Sequence, residues 1–324
     1  MLRLALMAMA CLGSLEERVG QLLIVHFQGE HINDDAKRLM DQAHVGGFCY
    51  YDLCNGEDVS PLSEELQSYS KHPLIIAIDQ EGGRVQRLKK GFTSIPSASE
   101  MDNPYRWGRC VGKELKECGI HLNLAPVADL QMGSRSFSDD PEVVIQKARA
   151  FIQGMREEGV MACLKHYPGH GDAVVDPHDG LPTASFDERN LRPFDELAKE
   201  VPFVMTAHIR IPEIDEVPAT VSAKWLQRLD FNGLVMTDSL TMEGILQHCG
   251  SLNEAAYQAL EAGCHLLLIG RKSLSGGCGE SENLTEDILN LHAYLVQCVR
   301  DGLIDEALID EKLQKRYACL NEKS

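Results

Sequence analysis

Residues 165–178 read Lys-His-Tyr-Pro-Gly-His-Gly-Asp-Ala-Val-Val-Asp-Pro-His, placing three histidines, two aspartates and a lysine within fourteen positions. Such side chains exchange protons near neutrality, hold cations or bind polar ligand groups. The stretch directly follows the apolar run 159–164, so it reads as the loop leaving a strand end, where scaffolds present reactive groups to a cavity. A polar surface loop is the bland alternative. Against it stands a coincidence: four other apolar runs end in ionisable residues, at Asp79, Asp129, His208 and Asp238.

Positioning these groups falls to eight short runs at residues 21–27, 45–51, 73–79, 121–127, 160–166, 202–208, 233–239 and 265–269. They are mostly apolar without alternation, the pattern of strands buried on both faces. Helix-length amphipathic stretches lie between them at 32–43, 104–118, 142–158, 187–199 and 253–262, and Ser14-Leu-Glu-Glu17 has capping-box spacing. Strand and helix thus alternate in an α/β pattern. Eight such units in 324 residues predict a single (β/α)8 TIM-type barrel, with an open doubly wound sheet as the alternative. The barrel predicts that chemistry sits at the carboxyl ends of the strands. Residues 14–324 read as one barrel domain closed by two C-terminal helices. Residues 1–13 read as a short N-terminal extension or a brief leader, so a cytoplasmic location is expected, with export or lipid anchoring as the alternative.

A net charge of −18 argues against non-specific nucleic-acid binding, because there is no basic stripe to replace counterions around phosphates. The chain has no run of about twenty apolar residues, so no membrane span is expected. Eleven cysteines, scattered from Cys11 to Cys319 without a CxxC pair, read as reduced and partly buried thiols, Cys163 and Cys264 lying in or beside apolar strands.

On a barrel, Asp79, Arg87, Arg135, Lys165, His166, His178, His208 and Asp238 converge on one mouth. Donors, cations and carboxylates without a phosphate-type glycine loop suit a polyhydroxylated ligand such as a sugar. The motifs Asp79-Gln-Glu-Gly-Gly-Arg-Val-Gln-Arg87, Arg135-Ser-Phe137, Lys165-His-Tyr-Pro-Gly-His-Gly-Asp172, Asp176-Pro-His178 and Thr237-Asp-Ser-Leu-Thr-Met-Glu-Gly244 together resemble glycoside hydrolase family 3. More narrowly they resemble its bacterial β-N-acetylglucosaminidase branch of peptidoglycan recycling, over residues 14–270.

The resemblance implies removal of terminal β-linked N-acetylglucosamine with retention of configuration and without a cofactor. It makes Asp238 the nucleophile that forms a covalent glycosyl-enzyme. Retention usually uses a second carboxyl group about 5 Å away as acid and base. This branch instead uses a histidine held by an aspartate, which maps to His178 and Asp176. An imidazole with an ordinary pKa near 6.5 suits that proton traffic, and Asp176 would fix its tautomer. Asp79, Arg87, Arg135, Lys165 and His166 match positions that hold the sugar hydroxyls and N-acetyl group, and His208 falls at the matching strand-six position. Glu81 reads as structural in the glycine-rich turn, Arg84 as an ion-pairing neighbour, and His170 and Asp172 as shaping the loop. Pro177 departs from the Ser or Thr of related sequences. It restricts Asp176 to extended geometry and removes a backbone donor, which predicts a changed rate more than a changed specificity.

Other readings stay open. His166, His170, Asp172, Asp176 and His178 can supply ligands for a metal-dependent hydrolase, although no HxH strand motif is present. A sugar-binding protein without catalysis is another alternative. The same site can also act as an N-acetylglucosaminide phosphorylase, since a histidine repels incoming phosphate less than a carboxylate does. The partner expected in each case is a small carbohydrate, from a muropeptide or a chitin-type fragment, bound by a monomer.

Overall fold

The computed structural model describes residues 13–51, 58–171, 173, 180–270 and 284–321. Eight parallel strands form one sheet: β1 (Leu23–Val25), β2 (Gly47–Tyr50), β3 (Ile75–Ile78), β4 (Leu122–Asn123), β5 (Met161–Tyr167), β6 (Phe203–Thr206), β7 (Leu234–Thr237) and β8 (Leu267–Ile269). Neighbours follow chain order, and β8 also pairs with β1. A parallel bridge between Met236 and Leu266, with the Leu240 amide donating to the Leu268 carbonyl at 2.9 Å, joins β7 to β8 and closes the cylinder. The fold is a (β/α)8 barrel, and the open-sheet alternative falls on that closure. Seven of the eight apolar runs contain one barrel strand each, and the run 160–166 covers all of β5 but its last residue, Tyr167.

Helices on the outside explain why the runs do not alternate. Inside the barrel, Ile24, Cys49, Ile75, Ala77, Leu122, Met161, Cys163, Phe203, Met205, Leu234, Met236 and Leu268 pack as one apolar cluster. The residues between them, such as Leu23, Phe48, Ile76, Ala162, Val204 and Val235, pack outward against helices including Pro104–Glu117, Pro141–Glu157 and Leu252–Ala262. Both faces of the strands are thus buried and mostly apolar. The period of two then carries chemistry upward. Counting on by two from Ala77, Cys163 and Met236 places Asp79, Lys165 and Asp238 at the rim. The same count from Ile24, Cys49 and Leu268 reaches His26, Tyr51 and Gly270.

Beyond β3 the glycine-rich segment forms a short antiparallel hairpin, Gln80–Gly82 with Val85–Gln86. Its turn demands glycine. Gly82 and Gly83 have φ of +101° and +56°, and a Cβ on Gly82 would stand 2.4 Å from the Pro96 carbonyl oxygen.

The opposite end of the barrel is closed by the chain termini. Helix Leu15–Gly20 carries the capping box read at Ser14 and Glu17, and helix Glu306–Asn321 lies beside it. From the latter, Arg316 is fully buried and donates to the Gly46 and Pro73 carbonyls at 2.8 and 2.6 Å, below β2 and β3. The two helices are joined by Arg18, which pairs with buried Asp310 and with exposed Glu306. Removing one partner of a buried pair strands the other charge. Because Glu306 remains, Asp310→Ala is expected to cost about 2 kcal/mol of stability, read as a lower urea midpoint with an unchanged m-value. A midpoint equal to wild type would show that the Arg18 contact to Asp310 contributes nothing.

Among the described residues no helix is long and apolar enough to cross a membrane. Cys163 and Cys264 are buried free thiols, as read from their runs.

Candidate active site

Three rim residues and the hairpin build an alternating chain of charge. Lys165 Nζ stands 2.7 Å from Asp79 Oδ1 and 2.7 Å from Glu81 Oε1. Asp79 also accepts from Arg87 Nη2 at 3.2 Å. Glu81 is clamped by Arg135 through both oxygens, at 2.9 Å from Nε and 2.8 Å from Nη2. The order Arg87, Asp79, Lys165, Glu81, Arg135 therefore alternates sign and carries one net positive charge.

Burial opposes the charges of Asp79, Glu81, Lys165 and Arg135, and their partners overcome it. The Asp79 carboxyl is pushed up by burial but held well below its usual value by Lys165 and then Arg87. Glu81 likewise falls to about 2 under Lys165 and Arg135. Burial alone would lower the Lys165 ammonium, yet Asp79 and Glu81 carry it up to about 12. Neither carboxyl is a proton donor at neutral pH, and the amine is not a base.

Asp238 sits just past β7 with its side chain one-fifth exposed, close enough to Lys165 for the ammonium to lower its pKa. Its Oδ1 accepts the Ser239 amide at 2.7 Å, while Oδ2 lies 3.9 Å from His166 Nε2, beyond hydrogen-bond reach. Burial raises its pKa, but His166, His208 and the Ser239 amide outweigh that and leave it below the ordinary aspartate value. The result is an ionised carboxylate with one tethered and one open oxygen, suited to nucleophilic attack.

Behind Asp238 stands His208, fully buried just past β6. Its Nε2 donates to the Ser239 carbonyl at 2.9 Å and its Nδ1 meets the Thr220 hydroxyl at 2.8 Å. With both ring nitrogens engaged, His208 braces the Asp238–Ser239 turn from behind and does not line the mouth as a ligand contact. Burial lowers its pKa.

Four groups at the site were not among the site residues assigned from sequence. Glu81 is as central to the charge chain as Asp79. Tyr51 has the Arg87 guanidinium 5.5 Å from its ring centroid and the His26 ring edge-on at 4.8 Å. Asp129, past β4, is fully buried and binds both His166 and His170. The period-two count from Ile24 and Cys49 would have found His26 and Tyr51. Arg84 is exposed, and Asp172, Asp176, Pro177 and His178 lie outside the described residues.

Among the described residues the metal alternative can be examined at one place. Asp129, His166 and His170 have ligand atoms within 4.8 Å of one another. Each Asp129 oxygen, however, already accepts one amide and one imidazole N–H, so the trio is built as a hydrogen-bonded clasp.

The family comparison agrees with this geometry. Residues 14–317 match the glycosyl hydrolase family 3 N terminal domain. The Beta-hexosaminidase of Tolumonas auensis is 36% identical over 275 residues, covering 76% of this chain and 81% of that one. The Beta-hexosaminidase of Pasteurella multocida is 32% identical over 299 residues, covering 83% of both chains. A solved family 3 beta-N-acetylglucosaminidase from a Paenibacillus species superposes with a TM-score of 0.86 at 34% identity over 96% of this chain. This chain spans 63% of that enzyme's length. The match over nearly the whole barrel, together with the rim carboxylate and its cationic neighbours, places the chain in glycosyl hydrolase family 3.

Proposed function

We propose that this chain is a retaining exo-β-N-acetylglucosaminidase that hydrolyses terminal β-linked N-acetylglucosamine through a glycosyl ester on Asp238. The observation that carries the reading is the open Oδ2 of an ionised Asp238 at the same barrel rim as Lys165, whose ammonium belongs to a net-positive cluster with Arg87, Asp79, Glu81 and Arg135. Lys165, Arg87 and Arg135 are the donors for sugar hydroxyls and the N-acetyl carbonyl, and Asp79 is the acceptor. The names of the hexosaminidase relatives favour an N-acetylated sugar.

A glycosidase also needs a general acid that is protonated near neutrality. The rim carboxyls Asp79, Glu81, Asp129 and Asp238 are all held below their ordinary values, so none of them is that acid. This supports a histidine in the role, and we assign it to His178 with Asp176 as its orienting partner. The natural substrate we infer is a muropeptide fragment handled by a cytoplasmic monomer during peptidoglycan recycling.

The test is nitrophenol release from the β-N-acetylglucosaminide and the β-glucoside, with and without added phosphate. Cleavage confined to the N-acetyl substrate, with free N-acetylglucosamine as the product in both conditions, is the expected result. A sugar 1-phosphate that appears with phosphate would replace hydrolysis by phosphorolysis, and preference for the glucoside would overturn the substrate assignment. His178→Ala should cost at least 100-fold in kcat/KM on a muropeptide, whose leaving group needs a proton, and less on an activated nitrophenyl leaving group. Equal losses on both would remove His178 from the acid role.

A further inference from the structure

Four N–H groups converge on one buried carboxylate beside the nucleophile. Asp129 Oδ2 accepts the His166 backbone amide at 3.0 Å and is 2.7 Å from His166 Nδ1. Its Oδ1 accepts the His170 backbone amide at 2.9 Å and is 3.1 Å from His170 Nδ1. Asp129 is fully buried and its carboxyl lies well below the ordinary value. Burial opposes this, and the two histidines outweigh it. An ionised carboxylate only accepts, so both Nδ1 atoms must carry the proton. Burial lowers the pKa of His166 although Asp129 raises it, which favours the neutral ring, and a neutral ring with its proton on Nδ1 leaves a lone pair on Nε2.

Asp238 Oδ2 lies 3.9 Å from that nitrogen. Two acceptors facing each other do not bond, which is why the oxygen stays open. In the other tautomer His166 would turn an Nε2–H donor toward Asp238 and draw on the electron pair that the reaction needs.

We propose that Asp129 is a positioning residue which locks His166 and His170 in the Nδ1–H tautomer. It thereby keeps the attacking oxygen of Asp238 free and leaves His166 Nε2 as an acceptor for a ligand hydroxyl. The functional part of the proposal rests on the glycosidase reading, whereas the tautomer part does not. Asp129→Asn separates them, because an amide offers only one accepting oxygen where two are needed. One of the two histidines must then give up its Nδ1–H bond.

The experiment is histidine 15N NMR on the wild-type protein, followed by steady-state kinetics of wild type and Asp129→Asn across pH on the N-acetylglucosaminide. The expected spectrum shows protonated Nδ1 on both imidazoles and a bare Nε2 on His166, the kind of tautomer control a buried carboxylate exerts on a catalytic histidine. The expected kinetics show kcat down about 100-fold with KM changed much less, and a changed spectrum for at least one histidine. A wild-type spectrum with protonated Nε2 on His166 overturns the proposal even if the variant does not fold. So does a folded variant with unchanged kcat or unchanged tautomers. Wild-type inactivity on every sugar substrate would instead overturn the glycosidase reading, and the spectrum would still decide the clasp.

Discussion

Asp238→Ala is expected to lower kcat/KM on an N-acetylglucosaminide by at least about 10⁴-fold, a loss of roughly 5.5 kcal/mol of transition-state stabilisation. Loss of the attacking group removes the covalent route, and no other rim carboxylate can take its place. Asp79 and Glu81 are locked against Lys165 and the two arginines, and Asp129 is saturated by four N–H groups. Folding should hardly suffer, because Asp238 has one backbone bond and no ion pair tighter than 3.9 Å. The distinguishing readout is rescue. A small anion such as azide, entering from the face that the carboxylate vacated, should restore turnover and give the α-glycosyl azide, the inverted product of a single displacement. Residual activity within tenfold of wild type, or a β-configured azide product, would remove Asp238 from the nucleophile role.

The barrel was legible because its physical causes lie in the chain itself. Strands covered on both faces need continuous apolar runs, and those runs closed into the observed cylinder in order. The rim was legible for a related reason, since the inward parity of Cys163 and Met236 carries straight to Lys165 and Asp238. His208 shows where that reasoning has to be applied strand by strand. Phe203 and Met205 face inward, so His208 shares the outward parity of Val204 and meets Thr220. Its position at a strand end was right, but which side it faced depended on counting.

Other features depended on contacts across the sequence. Glu81 looked like part of a glycine-rich turn because its hairpin is too short for a strand pattern. Only the folded chain brings it to Lys165, 84 positions on, and to Arg135. Asp129 was visible at a strand tip, but its four donors come from residues 37 and 41 positions later. The pairing of a carboxylate with two histidines cannot be read from spacing of that length.

Lys165→Ala is the substitution expected to cost most in stability, about 3–5 kcal/mol, the range for removing one member of a buried ionic cluster. Lys165 is nearly inaccessible, with its side chain 3% exposed, and among the described residues it is the one group that pairs with both Asp79 and Glu81. Without it two buried carboxylates face each other with one arginine apiece, and both pKa values should rise. The sign of the pH dependence follows. In the wild type Glu81 is depressed from 4.5 to about 2, so its stabilisation is full above 4.5 and is lost as pH falls through about 2. Lys165 is raised from 10.5 to about 12, so its stabilisation is full below 10.5 and is lost as pH rises through about 12. The cluster therefore works at full strength from about 4.5 to about 10.5. The deficit of Lys165→Ala should be largest on that plateau and should shrink as acid protonates the stranded carboxylates. Urea unfolding of both proteins at a series of pH values measures it. A deficit below about 1 kcal/mol at neutral pH, or one that does not narrow in acid, would mean that Arg87 and Arg135 alone hold the two carboxylates.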